Sequence, residues 1–474
     1  MKPSPGTKEP ERSSAQPRVI GTLGGLSIVV GSMLGIGIFL SPSQVATHVP
    51  CTWGYLVVWV ISGLIAFSGA VAYAELGTRF PSAGGDYVFL KEAFGPSVGF
   101  ASGWLLFIGV FAGSVATMAV PIGHYQVPAL LAPWIEVDPD ASLFSVSGLG
   151  VTWLNLTLSR AVGVVLIVVL TLLNVIGTRL STGVQFALTA LPVLLLALGS
   201  AYIFLLVEPT HAALSRQVEE PVVGFGRAIL AVYFAFAGWN SIAYVGGEMA
   251  SPGKTIPRSL LGGTVVITAL YLLMAGAFLY VLGIDGLSSA CEAGTATVRV
   301  LAGEGGAVWV TALIALALIG SVNATILAGG RVGWAMARSG ALRRSLGTLH
   351  GRYQTPSKTL LLQGAVAILF VLTGSFQLLL ELAGVAMMLM STLTMVALFV
   401  IRRRDGTAAP YRATLYPWLP GFFLLISTAV IGAQLYRAAA GTDRMSFASF
   451  YPLIGLAVFV AMLVGHSLWG RKER

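Results

Sequence analysis

The chain has 474 residues, of which 56% are hydrophobic and only 10% charged, and its formal net charge is +9. An ordinary soluble domain carries about 25% charged residues, so this composition excludes that class. The apolar segments run to about 20 residues or more, which predicts membrane-spanning helices rather than the shorter, alternating strands of a β-barrel. The basic residues lie between the apolar segments, so they indicate membrane topology and not binding to nucleic acid.

Twelve apolar segments can be marked, which predicts an all-α membrane protein with 12 transmembrane helices. Residues 1–18 are polar and rich in Pro and Ser, and we expect a disordered cytoplasmic tail there, with a second short tail at 470–474. In chain order, the predicted spans cover residues 18–47, 53–77, 97–129, 159–176, 178–207, 224–247, 256–282, 307–337, 359–373, 376–401, 416–436 and 450–469.

The basic residues predict the orientation of these spans. With the N-terminus inside, 22 of the 28 Lys and Arg residues fall on the inner side and 6 on the outer side. Such an excess is typical of cytoplasmic loops, so both termini are expected in the cytoplasm of a plasma (inner) membrane protein. Cys51 and Cys291 then both lie outside, where they either pair or remain free thiols; their spacing predicts no metal site.

The first span contains three glycines, Gly31, Gly35 and Gly37, at its centre. Glycine weakens a helix by about 1 kcal/mol relative to alanine, and a break in a membrane helix leaves backbone groups that need partners. A small zwitterion supplies such partners through its carboxylate and ammonium groups. The alternative is close helix packing through the G-x-x-x-G pair Gly31 and Gly35.

A second apolar span is interrupted in the same way at residues 233–241, where small residues and an amide lie mid-span. Interrupted segments at corresponding places in two halves indicate a transporter site. Each interrupted helix is the first span of a block of five, and the two blocks cover residues 19–207 and 224–401. Because each block has an odd number of spans, the two repeats have inverted orientations in the membrane. This predicts the leucine-transporter (LeuT-like) 5+5 architecture, with helices 1 and 6 unwound at the midplane and two extra helices at 413–469.

Four sequence motifs, at residues 31–39, 74–87, 234–240 and 320–323, together resemble the amino acid–polyamine–organocation (APC) superfamily. The resemblance is greatest to the L-type amino acid transporters and their bacterial homologues, and a weaker fifth motif lies within residues 335–356. The motifs follow one another in the expected order and on the expected helices, from residue 21 to residue 404.

The resemblance implies a substrate site built mainly from backbone. The substrate carboxylate would bind the N–H groups of Gly35, Ile36 and Gly37, and the ammonium would meet the carbonyls of Met33, Phe234 and Ala237. Phe234 is the implied gate over the substrate, and Trp239 either packs or touches the ligand. The remaining substrate-binding positions are Ala235, Gly238, Asn240 and Asn323.

The sequence departs from the family pattern at two places. Ile36 stands where relatives usually have a small polar residue, so a hydroxyl contact is lost. Pro192 stands where many relatives carry a lysine that replaces a sodium ion, so the coupling ion is left open.

No Asp, Glu, Lys, Arg or His lies at the centre of a predicted span, so the site lacks a counter-ion for a charged side chain. This predicts a neutral amino acid substrate. Glu381 and Glu75 are the candidates for proton coupling, although Glu75 can instead anchor the inner loop. Glu248 is expected to pair with Lys254 or Arg258.

The leading interpretation is therefore a secondary active amino acid transporter, working as an exchanger or a proton-coupled symporter. The alternatives are a sodium-coupled symporter and a polyamine or cationic amino acid carrier. A channel would need a polar pore, and an enzyme would need a catalytic set at the midplane. We expect no enzyme activity, cofactor or metal.

Partners are predicted to be the lipid bilayer and the substrate. Eukaryotic relatives bind a glycoprotein through a cysteine between spans three and four, but residues 133–160 contain no cysteine, so no disulfide-linked heavy chain is expected. A monomer is one candidate state, and the oligomeric state is left open. The segment Gly84–Phe94 is amphipathic. It either lies at the membrane surface or re-enters the membrane, as part of the inner gate, or it is a plain connector.

Overall fold

The computed structural model describes residues 16–148, 151–208, 221–373, 376–406, 409–440 and 451–472, and these are nearly all helical. Residues 1–15 of the predicted tail lie outside this part of the chain, whereas Gln16 is buried. The first half contains α1 (Thr22–Met33), α2 (Gly37–His48), α3 (Thr52–Arg79), α4 (Asp86–Phe94), α5 (Pro96–Leu131), α6 (Leu158–Ile176) and α7 (Thr178–Leu206).

The second half continues the helical pattern. Its helices are α8 (Pro221–Ala235), α9 (Ser241–Tyr244), α10 (Pro252–Ser289), α11 (Ala293–Ser339), α12 (Ser357–Thr373), α13 (Phe376–Asp405), α14 (Trp418–Ala440) and α15 (Tyr451–Lys472).

Within the described residues, seven helices are long and apolar enough to cross a membrane, and α1 and α2 together form an eighth, bent span. Four shorter apolar stretches occur in α8, α12, α14 and α15. The chain is therefore an integral membrane protein whose core lies between the helices.

The first predicted break is present. α1 ends at Met33 and α2 begins at Gly37, and the two helices are bent by 44°. Gly35 and Gly37 lie at the bend. Glycine has no Cβ atom, so the backbone can leave the helical conformation there at low steric cost. The packing alternative for the first span is therefore insufficient, although Gly31 does approach Gln185 and Thr189 of α7 closely.

The second break is also present, between the end of α8 at Ala235 and the start of α9 at Ser241. Gly238 adopts φ +101° in the intervening turn. A Cβ atom there would lie 2.7 Å from the carbonyl oxygen of Ser32 in α1, so only glycine lets the two broken helices approach each other.

Two local features differ from the sequence expectations. An antiparallel hairpin of β1 (Ser142–Gly148) and β2 (Val151–Thr157) follows α5, between the predicted spans 97–129 and 159–176, where no strand was predicted. Its Leu143, Phe144 and Val146 are all exposed, so strand β1 does not bury an apolar face. The amphipathic segment is helix α4, and its apolar face is buried in the protein.

Candidate functional site

An open cavity lies between the two helix breaks, and it measures about 760 Å³ when the space at its mouth is included. The first break contributes Met33, Gly35, Ile36 and Gly37 to its wall, and the second contributes Ala235, Ala237, Gly238 and Asn240. Eight of the ten predicted substrate-binding positions thus line one space, although they come from segments about 200 positions apart in the chain.

Ser32 of α1 and two residues of α9, Ser241 and Tyr244, also line the cavity, and the rest of its wall comes from α5, α11 and α13. The part from α5, α11 and α13 is apolar apart from four hydroxyl groups, and none of the lining residues is Asp, Glu, Lys, Arg or His. Its apolar members include Val110, Phe111, Met118 and Met387; the four hydroxyls that α5 and α11 contribute belong to Ser114, Thr117, Ser321 and Thr325. This wall suits an uncharged side chain.

The backbone N–H groups at the first break differ in their availability. The N–H of Gly35 donates to the Met33 carbonyl at 2.8 Å, so it is already used. Among the described residues, the N–H groups of Ile36, Gly37 and Ile38 have no protein acceptor. These three groups lie at the N-terminus of α2, where the helix dipole and the orphan donors together favour an anion.

The carbonyl groups at the breaks have a partner that the sequence did not indicate. The Tyr271 hydroxyl, from α10, lies 2.5 Å from the Met33 carbonyl oxygen and 3.2 Å from that of Ala235. It therefore joins the ends of α1 and α8. The side chain of the predicted gate Phe234 lies outside the described part of the structure.

The two predicted asparagines have different surroundings. Asn240 lines the cavity and donates to the Tyr244 hydroxyl at 3.2 Å. Asn323 is instead buried behind the cavity, where it donates to Gln185 and accepts from Asn174, each at 2.8 Å. Trp239 is 3% exposed and packs edge-on against Tyr73, so the geometry favours its packing role.

The expected pairing of Glu248 with Lys254 or Arg258 is wrong. Glu248 instead accepts a 2.8 Å hydrogen bond from Arg331, and both side chains are almost fully buried. Arg331 is one of the 22 basic residues counted on the inner side, and it lies within α11, inside the predicted span 307–337. A local charge pattern cannot reveal a pair that is 83 positions apart.

The candidates for proton coupling also fall into different surroundings. Glu75 is fully buried and bound by Arg79 and Arg402, while the backbone N–H of Ala413 donates to it at 2.8 Å. This arrangement favours the anchoring role, because the carboxylate joins α3 to α13 and to the segment before α14. The side chain of Glu381 lies outside the described residues.

Cys51 and Cys291 are both free thiols.

The anchoring role can be separated from proton transfer with Glu75→Gln. Hydrogen bonds to charged groups contribute about 1.5–3 kcal/mol, so we expect a lower melting temperature in detergent with an unchanged pH dependence of uptake. Loss of the pH dependence in a variant of normal thermal stability would instead make Glu75 a proton carrier.

Comparison with known proteins shows the family of the chain. The chain matches the amino acid permease family over residues 20–460. It is 28% identical to the serine/threonine exchanger SteT of Bacillus subtilis, over 96% of this chain and 97% of that protein. It is 27% identical to the human b(0,+)-type amino acid transporter 1, over 98% of this chain and 92% of the relative.

A third relative is the mouse large neutral amino acids transporter small subunit 2, which is 29% identical over 84% of this chain and 72% of its own length. The family match covers most of the chain, and the relatives named above are transporters or exchangers, not enzymes. The chain therefore belongs to the amino acid permease family, within the amino acid–polyamine–organocation superfamily that its motifs resemble.

Proposed function

We propose that this protein is a secondary active transporter that moves neutral L-amino acids by alternating access, as an exchanger or a proton-coupled symporter. The observation that carries the proposal is the cavity between two broken helices, which has free backbone donors at one end and no charged side chain in its wall. A zwitterion matches both features, because its charged ends meet peptide groups and its side chain meets the uncharged wall.

In this proposal the substrate carboxylate binds at the N-terminus of α2, to the N–H groups of Ile36 and Gly37, with the Gly35 backbone beside them. The ammonium lies near the carbonyls of Met33, Phe234 and Ala237. Ala235, Gly238 and Asn240 shape the same space, and Phe234 closes over it. Asn323 acts indirectly, by holding α7 and α11 together behind the cavity.

The proposal includes twelve spans in two inverted repeats. Seven long helices, the bent pair α1–α2 and the four shorter apolar stretches support that count. Each break lies in the first span of one proposed repeat, 19–207 or 224–401. The excess of basic residues on one side supports cytoplasmic termini.

The cavity wall favours neutral substrates over the cationic or polyamine alternative. A cationic side chain would need an acidic partner, and the cavity has none among its lining residues. The hydroxyls of Ser114, Thr117, Ser321 and Thr325 would accept small polar side chains, while Met118 and Met387 would accept apolar ones.

The proposal is tested with purified protein in liposomes, using labelled alanine, serine, leucine, methionine, arginine and glutamate. We expect uptake of the neutral amino acids to exceed that of arginine and glutamate by at least about tenfold, since an uncompensated charge in the cavity costs several kcal/mol. Vesicles with and without internal substrate, a sodium gradient or a pH gradient separate exchange from symport. Preferential uptake of arginine or glutamate would overturn the proposal.

A further inference from the structure

A buried carboxylate lies next to the cavity. Asp86, the first residue of α4, is 1% exposed. Its carboxylate accepts a hydrogen bond from the Tyr244 hydroxyl and a second, 2.8 Å long, from the Thr394 hydroxyl of α13. Among the described residues, no Lys, Arg or His forms an ion pair or hydrogen bond with it.

A continuous polar path joins this carboxylate to the cavity. Tyr244 belongs to α9, the short helix after the second break, and it lines the cavity wall. Its hydroxyl donates to Asp86 and accepts from the Asn240 amide, which also lines the cavity. The Tyr244 ring packs edge-on against Phe111 of the same wall, with ring centroids 4.8 Å apart.

We propose that Asp86 is the residue whose protonation couples proton movement to substrate transport, with Tyr244 as the contact between it and the cavity. The inference rests on the proposed transport function and names the coupling group within it. A proton from cavity water would bind the Tyr244 oxygen as the hydroxyl proton of Tyr244 passes to the Asp86 carboxylate, so that no other reactant is needed.

The surroundings of Asp86 suit a group that changes its protonation. Burial raises the pKa of the Asp86 carboxyl above its usual value, while the hydrogen bonds from Tyr244 and Thr394 oppose that shift. The titratable side chains that face it are Tyr73 of α3, Tyr233 of α8 and Tyr244. On α4 itself, the Tyr87 hydroxyl bonds to Ser339, and Lys91 and Glu92 lie further along the helix.

Protonation would act on the element that the substrate also touches. Hydrogen bonds to a carboxylate are about twice as strong as neutral ones, so a neutral Asp86 holds Tyr244 less firmly. The link between α4 and α9 then loosens. Substrate bound between the breaks and a proton on Asp86 would therefore both bias the position of α9, which is the requirement for coupling.

The test uses the full-length protein in lipid nanodiscs and liposomes, with L-alanine, L-serine and L-leucine as probes. Two readouts are needed: net proton uptake on substrate binding in weakly buffered nanodiscs, and accumulation driven by an inward proton gradient compared with counterflow at equal pH. We expect the wild type to take up protons and accumulate substrate, and Asp86→Asn to lose both while it still catalyses counterflow.

A control variant accompanies Asp86→Asn, and a second test variant keeps the experiment decisive if Asp86→Asn does not fold. Glu92→Gln, an exposed position on the same helix, serves as the matched control and is expected to behave like the wild type. Thr394→Val removes a hydrogen bond that stabilises the carboxylate, so the pKa of Asp86 should rise and the pH midpoint of proton uptake should move to more alkaline values.

The possible results separate this inference from the transport proposal. Proton-driven accumulation that persists in Asp86→Asn, or an unshifted midpoint in Thr394→Val, would overturn the role of Asp86. A wild type that exchanges neutral amino acids without proton uptake would also overturn it, and would leave the transport function intact. A wild type that neither binds nor exchanges any neutral amino acid would end both.

Discussion

Gly238→Ala is expected to abolish uptake of neutral amino acids. Gly238 adopts φ +101°, a conformation that side chains rarely adopt, and a Cβ atom would lie 2.7 Å from the Ser32 carbonyl oxygen and 2.9 Å from the carbonyl carbon. Both obstacles are backbone atoms, which cannot rotate away as the end of a side chain can. The turn between α8 and α9 must therefore move away from α1, and the cavity between the breaks is lost.

The measurement is uptake in liposomes together with substrate binding in detergent. We expect about a hundredfold loss, since about 3 kcal/mol of strain and misplacement falls directly on the binding segment. Gly183→Ala is the matched control: this glycine lies within α7, is exposed and has no neighbouring atom within 4 Å of the position that a Cβ atom would take, so alanine should be harmless there. Normal binding by Gly238→Ala would show that the second break does not form the site.

Arg331→Met is expected to destabilise the protein by about 3–5 kcal/mol, because it leaves the Glu248 carboxylate buried without its cation. Arg331 also donates to the Thr178 hydroxyl and to the Leu327 carbonyl, each at 3.0 Å. The Glu248 backbone in turn accepts from the Ile20 N–H at 2.9 Å. The pair thus holds α11, the start of α7 and the segment before α1 together.

Thermal unfolding in detergent measures this effect. The double variant Glu248→Met with Arg331→Met should recover much of the lost stability, because an apolar pair of similar volume leaves no charge uncompensated. Glu304→Gln is the control, since the Arg299–Glu304 pair is more than half exposed on both sides and should contribute little. A melting temperature of Arg331→Met equal to that of Glu304→Gln would contradict the structural role of the pair.

The sequence predicted which segments form the site better than it predicted which backbone N–H groups are free to bind a substrate. Both helix breaks follow from glycines and small residues inside apolar spans, and both are present. The expected use of the Gly35 N–H differs from the structure, in which that group bonds to Met33 and the free donors are those of Ile36, Gly37 and Ile38. Which backbone N–H groups are bonded depends on how far the helix unwinds at the break, and the residue types alone do not determine that.

The amino-acid sequence by itself determined the membrane class, the family and the location of the two breaks, because hydrophobic length and glycine content act locally along the chain. Only the tertiary structure decided which distant side chains meet. Tyr271 reaches Met33 across 238 positions, and Tyr244 reaches Asp86 across 158. Such contacts form because helix packing brings buried polar groups together, and each of them must find a partner where water is absent.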